Sequence, residues 1–419
     1  MSLKVVAYGV HVTKSVAPDG PGAELETRTT DRGVEINVNN IALRGGDPVV
    51  VVAFVLPTDS GDKVDGSVSV QINQLPHVRR RGWLSLQPSI DGVLAYYLLD
   101  PESPGTVILF RNPGTRDFLA QLNDSTPIGD LTLPGTHESC ALYGFFISQC
   151  QQTATPVAQQ LVDGVRFLDV RLKVENGRLE TYHGIRPERS TLKAELDAIE
   201  AFFQQHPRET VIVSIKEETP PWHPDFSQMV YDEFKSYGDR WRFAETVPTL
   251  GEVRGKGIIF TRFDRANDSQ WPEGMGIHPT TWPDSRREGF EWDCKGTTVK
   301  TQDWYRVDSF IEIPEKTEVV IHSLEPTLSP NPGSPWTISF ASASNFPMAP
   351  PQWMAKGVGF PTWGLGVDGV NARVTKWLLE QAAAGKRPRA TLLTDFYHQA
   401  GDGSASIAEL LVALNFIDH

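Results

Sequence analysis

Two segments decide how this chain is read: Leu131-Thr132-Leu133-Pro134-Gly135-Thr136-His137-Glu138-Ser139 and Val165-Arg166-Phe167-Leu168-Asp169-Val170-Arg171. Each is a run of strand character that ends in residues a buried strand does not need. In the first, Pro134 ends the β run, Gly135 allows a tight turn, and His137 and Glu138 follow. In the second, Asp169 and Arg171 share one strand face, because side chains alternate with a period of two. Tyr182-His183-Gly184 comes a hairpin's length later. Ser214-Ile215-Lys216-Glu217-Glu218 is a buried-type strand that ends in charges, and Leu392-Leu393-Thr394-Asp395-Phe396 sets Asp395 at the end of a late strand.

Strand-like runs at 128–133, 165–172, 211–216, 257–262, 336–341 and 391–396 alternate with helical patterns. Leu192, Leu196, Ile199 and Phe203 form the apolar stripe of a helix over 192–206, which Ser190 or Thr191 can cap. Val370, Val374, Trp377 and Leu378 mark a second over 370–384, stopped by Gly385. A last helix covers 407–416, and 271–292 reads as an irregular insertion. Roughly 300 residues of this alternation predict an α/β fold, an irregular (β/α) TIM-type barrel with its working groups at the C-terminal ends of the strands.

Upstream of Arg111-Asn112-Pro113-Gly114 the texture changes. Short runs at 4–12, 33–38, 49–56, 67–72, 92–99 and 105–110 are separated by turn residues such as Pro18-Asp19-Gly20 and Gly45-Gly46-Asp47. Val34, Ile36 and Val38 oppose Glu35, Asn37 and Asn39, the alternation of a half-buried strand. About six to eight short strands predict a small antiparallel sandwich-like domain over 1–112, ahead of a barrel over 118–419.

With 419 residues, 40% apolar and 22% charged, the chain is globular in composition. A net charge of -13 argues against nucleic-acid binding, which needs clustered cations. It gives no general pull toward anionic membranes, so a phosphate-bearing ligand must be held by a few local Arg and Lys side chains. Cys140, Cys150 and Cys294 are too few and too odd for a disulfide framework. Free thiols and a single Cys140–Cys150 bond are the two readings, and no metal-type Cys spacing is present. No apolar run approaches the roughly 18 residues of a membrane span, and the start lacks the apolar core of a signal peptide. A soluble protein is expected, secreted or cytoplasmic.

Two histidines, an arginine and flanking carboxylates form a coherent set. One His can deprotonate a nucleophile and the other can protonate a leaving group. A carboxylate can orient the base, and Arg can hold a phosphate and the charge that develops on it. These are the parts needed to break a phosphodiester without a metal.

The segment 128–217 resembles the X-type catalytic region of phosphatidylinositol-specific phospholipase C. The matching pieces are Leu-Pro-Gly-Thr-His-Glu-Ser, Arg-Phe-Leu-Asp-Val-Arg, Tyr-His-Gly and Val-Ile-Val-Ser-Ile-Lys-Glu. Weaker similarity runs through 254–263, 303–305, 338–343 and 394–396, and none covers the first hundred or so residues. The resemblance implies His137 as general base on the inositol 2-hydroxyl, Asp395 as its holder, and Arg171 as the phosphate stabiliser oriented by Asp169. It implies His183 as general acid with Glu138 as its partner. Lys216, Arg262 and Asp303 would bind inositol hydroxyls, and Tyr305 would stack on the ring. The products would be diacylglycerol and a cyclic inositol phosphate.

Two positions bear on the type. Glu138 stands where the bacterial-type pattern has Asp. Arg171 fills a position that serves calcium in animal enzymes, so the resemblance favours the metal-independent form, with no metal ligand and no cofactor. The implied partner is a phospholipid at a membrane interface. The rivals are a phosphodiesterase for another headgroup and a non-catalytic barrel that binds inositol phosphates or lipid; the presence of both His137 and His183 speaks against the latter. Outside the motifs, His11 reads as structural and Arg79, Arg80 and Arg81 as a solvated turn. Trp83, Tyr96, Tyr97, Trp222 and Trp363 have two readings, core packing or contact with a lipid interface.

Overall fold

The computed structural model describes residues 2–16, 25–31, 33–38, 49–58, 60–72, 81–100, 103–264, 271–329, 333–360, 365–399 and 406–417. The expected turns at 18–20 and 45–47, together with Arg79, Arg80 and Trp363, lie outside them.

Residues 2–111 supply nine strands: β1 (Ser2–Tyr8), β2 (His11–Val16), β3 (Thr27–Thr30), β4 (Gly33–Asn37), β5 (Val49–Pro57), β6 (Lys63–Gln71), β7 (Trp83–Leu86), β8 (Val93–Asp100) and β9 (Ser103–Arg111). A six-stranded sheet, β3-β4-β1-β9-β8-β7, is joined by a three-stranded one, β2-β5-β6. Their inner faces share a core in which Val50, Val52, Phe54, Val68 and Val70 join Leu3, Val5, Ile36, Tyr97, Val107 and Leu109. The expected run 4–12 is broken in two. Gly9, at φ 66°, turns the chain from β1 in one sheet to β2 in the other. The sandwich is not wholly antiparallel, since β1 pairs in parallel with β9. These strands come from opposite ends of the segment, and no hairpin constrains them to run antiparallel.

The second run of strands is β10 (Leu133–Thr136), β11 (Phe167–Glu175), β12 (Arg178–His183), β13 (Arg186–Thr191), β14 (Val211–Glu217), β15 (Trp241–Arg242), β16 (Gly257–Thr261), β17 (Phe290–Cys294), β18 (Thr297–Gln302), β19 (Trp336–Phe340), β20 (Gly357–Phe360), β21 (Leu365–Asp368) and β22 (Ala390–Thr394). The sheet order is β15-β16-β14-β11-β10-β22-β19-β18-β17. From β15 to β18 every neighbouring pair is parallel. The β17–β18 hairpin is antiparallel, and among the described residues nothing pairs β17 with β15 or β16, so the barrel is open there. The expected insertion is partly ordered into this region. Ile277 bridges Phe260 in parallel, and the Trp282 ring meets Phe260, Phe290 and Phe340 inside the sheet.

The helices follow their apolar stripes. Leu192–Gln205 begins where the Thr191 side chain accepts from the Ala194 amide. Val370–Ala383 and Ile407–Leu414 lie where they were expected. The expected strand at 128–133 is different. Ile128–Asp130 is a 3-10 turn, favoured by Gly129-Asp130, and the strand starts only at Leu133. Within β10, Gly135 is required by crowding, because a Cβ there would meet Leu393 at 2.9 Å and Phe167 at 3.2 Å.

The outer face of the six-stranded sheet is not solvated. Trp83, Tyr96, Ile108 and Phe110 belong to the buried cluster of the helices outside the barrel. Trp83 Nε1 donates to the Ala372 carbonyl at 2.9 Å, the Tyr8 hydroxyl donates to the Ala382 carbonyl, and Arg81 pairs with Asp368 at 3.3 Å. Trp83 and Tyr96 therefore pack between the six-stranded sheet and the helices outside the barrel, and Tyr97 is core of the sandwich; of the described members of the aromatic group only Trp222 is exposed. No helix among the described residues is long and apolar enough to cross a membrane.

Candidate active site

Because β10 lies between β11 and β22, the residues just after it fall among side chains from both neighbours. The His137 amide donates to the Thr394 carbonyl, and Gln151 Nε2 donates at 2.9 Å to the carbonyls of both His137 and Thr394. This fixes the mouth of β10 to the mouth of β22. His137 Nδ1 then lies 2.9 Å from Asp395 Oδ1, and Arg171 Nη2 donates to His137 Nε2 at 3.1 Å. A guanidinium has only donors. The ring proton is thus on Nδ1, facing Asp395, and the lone pair is on Nε2. Burial, then Arg171, pushes the imidazole well below its ordinary range, and burial pushes the Asp395 carboxyl up. The resting imidazole is neutral, as a base must be.

Glu138 has φ 44°, a left-handed backbone uncommon for a side chain of this size. Its amide donates to Asp169 Oδ2 at 3.2 Å, and its carboxylate turns to Arg171, with Oε1 at 2.7 Å. Arg171 also meets Asp169 at 3.2 Å and Glu218 at 3.4 Å. Although buried, it is held protonated by Glu138, Asp169 and Glu218. Burial opposes ionisation of Asp169, yet Arg171 and Arg262 keep it below the usual carboxylate range. Burial outweighs Arg171 at Glu138 and pushes that carboxyl up to about 7.

His183 closes β12. Its Nδ1 donates to the Ser148 carbonyl at 2.6 Å and stands 3.8 Å from Glu138 Oε2, beyond hydrogen-bond reach. The expected Glu138–His183 partnership is thus a neighbourhood of charge; a backbone carbonyl orients the ring. The Gly184 amide donates to Glu218 Oε1 at 2.8 Å, tying the His183 turn to the end of β14.

The remaining expected residues extend the cluster. Lys216 lies 3.6 Å from Glu218, its ammonium lowered by Arg171 and by burial. Arg262 reaches Asp169 at 3.3 Å and Asp303 at 3.6 Å, with its guanidinium 3.9 Å over the Trp282 ring. Trp282 Nε1 donates to Asp303 at 2.9 Å. Tyr305 is further out, its hydroxyl donating to Asp284. Beside Lys216, Arg262 and Trp282 opens a cavity of about 740 Å³, which His223, His278, Thr280 and Thr281 also line.

Residues 136–263 match a family described as phosphatidylinositol-specific phospholipase C, X domain. This stretch is similar to that X domain. The 1-phosphatidylinositol phosphodiesterase of Listeria monocytogenes is 29% identical over 158 residues, which is 35% of this chain and 49% of that protein. The protein of that name from Staphylococcus aureus strain Newman is 22% identical over 206 residues, 45% of this chain and 64% of its own length. The chain therefore spans between about half and two thirds of these relatives. Among solved structures, a phosphatidylinositol-specific phospholipase C of S. aureus aligns over 73% of this chain and 98% of its own, with 19% identity and TM-score 0.58. That of L. monocytogenes aligns over 72% and 98%, with 20% identity and TM-score 0.53. At such identity the likeness is one of fold: the barrel of the X-domain enzymes.

Several residues of this site were not singled out from the sequence. Glu218 was quoted only as a strand-end charge, though it joins Arg171, Lys216 and Gly184. The Ser148 carbonyl ends the short helix Phe145–Ser148, and Gln151 follows it in a stretch of no recognisable pattern. Trp282 lies in the insertion, where only its aromatic character was a signal.

Proposed function

We propose that this chain is a phosphorus-oxygen lyase that cleaves phosphatidylinositol into diacylglycerol and inositol 1,2-cyclic phosphate, without a metal. His137 Nε2 takes the proton of the 2-hydroxyl, whose oxygen attacks phosphorus. Arg171 donates to the phosphoryl oxygens as their charge grows. His183, oriented through Nδ1, gives a proton from Nε2 to the glycerol oxygen as the P–O bond breaks. The observation that carries this reading is the contact of Arg171 with His137 Nε2: it sets a fixed cation beside the lone pair of a neutral imidazole that Asp395 holds from behind. Lys216, Arg262 and Asp303 then serve as the hydroxyl-binding edge, with Tyr305 at its rim.

We assign the work to the barrel over 118–419 and regard 1–112 as a module that braces it. The partner surface is a lipid bilayer. Phe145, Ile147, Ile185, Trp222, Phe346 and Met348 are large apolar side chains left exposed, and all follow strand ends on the side of the barrel where His137 and His183 lie.

The test is phosphorus NMR of phosphatidylinositol micelles with excess EDTA, beside His137→Ala and His183→Ala. A cyclic inositol phosphate signal from the parent chain, absent from both variants, is the expected result. Turnover that EDTA abolishes would sink the metal-free mechanism, and no turnover on this headgroup would sink the substrate assignment.

A further inference from the structure

Cys150 has no role in the chemistry above, yet it stands directly behind it. Its Sγ contacts the Ser148 carbonyl at 3.7 Å and lies 3.8 Å from His183 Nδ1. It also forms a close trio with a ring nitrogen of His137 and a carboxylate oxygen of Asp395, all three atoms within 4.8 Å of one another. Cys150 and Asp395 are buried, whereas the His137 side chain keeps 14% of its surface at the mouth. One sulfur, one imidazole nitrogen and one carboxylate oxygen make a donor set suited to Zn2+, which tolerates mixed ligands and a tetrahedral arrangement. Bonds of about 2.3 Å to sulfur and about 2.0–2.2 Å to nitrogen and oxygen put such donors roughly 3.3–3.8 Å apart. The trio needs to close by no more than about an ångström from its widest separation.

We propose that Cys150, His137 and Asp395 form an inhibitory zinc site built on the base of the active site, with the fourth position open toward His183. The consequence for turnover rests on the functional reading above; the binding does not. The Cys150 thiol releases its proton to solvent and binds as thiolate. The Asp395 carboxylate gives up its hydrogen bond and binds through oxygen. The His137 proton moves from Nδ1 to Nε2, which gives up the hydrogen bond from Arg171, and the Nδ1 lone pair takes the ion. Thiolate and carboxylate together offset the dication, and because only the thiol proton leaves, the site gains one unit of positive charge beside Arg171. The shifted proton occupies the very nitrogen that must accept the inositol hydroxyl proton, so the zinc form is inactive.

Two measurements on the full chain test this. In the first, EDTA-treated protein is assayed on phosphatidylinositol vesicles with added zinc chloride. Inhibition that EDTA reverses is expected, and Cys150→Ser should keep its metal-free turnover but need at least about tenfold more zinc. Equal zinc sensitivity in Cys150→Ser would overturn the site. In the second, Co2+ replaces zinc as a spectroscopic probe. A thiolate-to-cobalt absorption band is expected in the parent chain and in Cys140→Ser and Cys294→Ser, and lost in Cys150→Ser. Absence of the band, or its survival in Cys150→Ser, would overturn the site. A chain that shows this cobalt signature but never turns over phosphatidylinositol would sink the functional reading alone.

Discussion

At the scale of single residues, the state of His137 is set by its two contacts. Arg171 can only donate, so Nε2 must accept, and the ring proton must face Asp395. An amide in place of the Asp395 carboxylate reverses this logic. Asn presents a donor to Nδ1, which favours the tautomer with the proton on Nε2 and removes the base. Asp395→Asn is expected to lower kcat by about 10³–10⁴-fold, with KM little changed and the circular dichroism spectrum intact. A loss spread equally over kcat and KM would show that Asp395 holds substrate instead. His137, Arg171 and Asp395 stood out in the sequence because each is a polar side chain within or just after a buried-type strand, and His183 because it stands in a second matching motif. What the histidines touch did not. That His183 is oriented by the Ser148 carbonyl depends on the path of a loop, and a main-chain acceptor carries no residue signature.

At the scale of elements, the end of β18 depends on helix Ile313–Leu324. Lys316 of that helix is wholly buried. It donates to the Trp304 carbonyl and, at 3.2 Å, to Gln302 Oε1, on either side of Asp303. Gln302 Nε2 in turn donates to the Phe340 carbonyl at 2.9 Å, tying β18 to β19. Burial pulls the Lys316 ammonium down to about 7, whereas in the unfolded chain it titrates at about 10.4. Between those values the unfolded state binds the extra proton, so stability contributed at this site rises with pH from about 7 to about 10 and is flat below. Lys316→Met abolishes that slope. Urea unfolding midpoints of parent and Lys316→Met at about pH 7 and about pH 9.5 are expected to diverge at the higher pH in favour of the parent. Parallel shifts would show that Lys316 is charged throughout. The helix was not anticipated, because Pro314 and six charged or polar residues blur its stripe; the longer helices were, since Leu, Ile and Phe recur on one face.

The sandwich and the barrel meet through aromatic rings. Trp83 is 1% exposed, and its indole N–H donates to the Ala372 carbonyl across the junction. Trp83→Ala removes a large buried ring from the junction, at a cost of about 3–5 kcal/mol. The expected result is a lower denaturation midpoint and two separable transitions where the parent shows one. A single transition at an unchanged midpoint would mean that the two parts are held together elsewhere. Alternation made the strands of the sandwich legible, but not that one sheet has two buried faces. Tyr96 reads as core or as lipid-facing until the helix that covers it is placed.

The whole molecule also constrains how the proposed lipid substrate is approached. With a net charge of -13, the chain as a whole is repelled by an anionic bilayer, and only apolar insertion can offset this. Phe145 is 80% exposed and Ile185 87% exposed, one just beyond the His137 segment and the other two residues beyond His183. Immersing either ring or branch contributes about 1.5–3 kcal/mol, or roughly tenfold to a hundredfold in partition. Phe145→Ser and Ile185→Ser are therefore expected to weaken binding to phosphatidylcholine vesicles by about tenfold or more each, while turnover of a short-chain substrate below its micelle concentration stays near the parent level. Added salt should leave binding of the parent to anionic vesicles unchanged or strengthen it, because screening relieves repulsion. Binding that weakens with salt would point instead to a cationic patch, and would remove the apolar rim from its place in the mechanism.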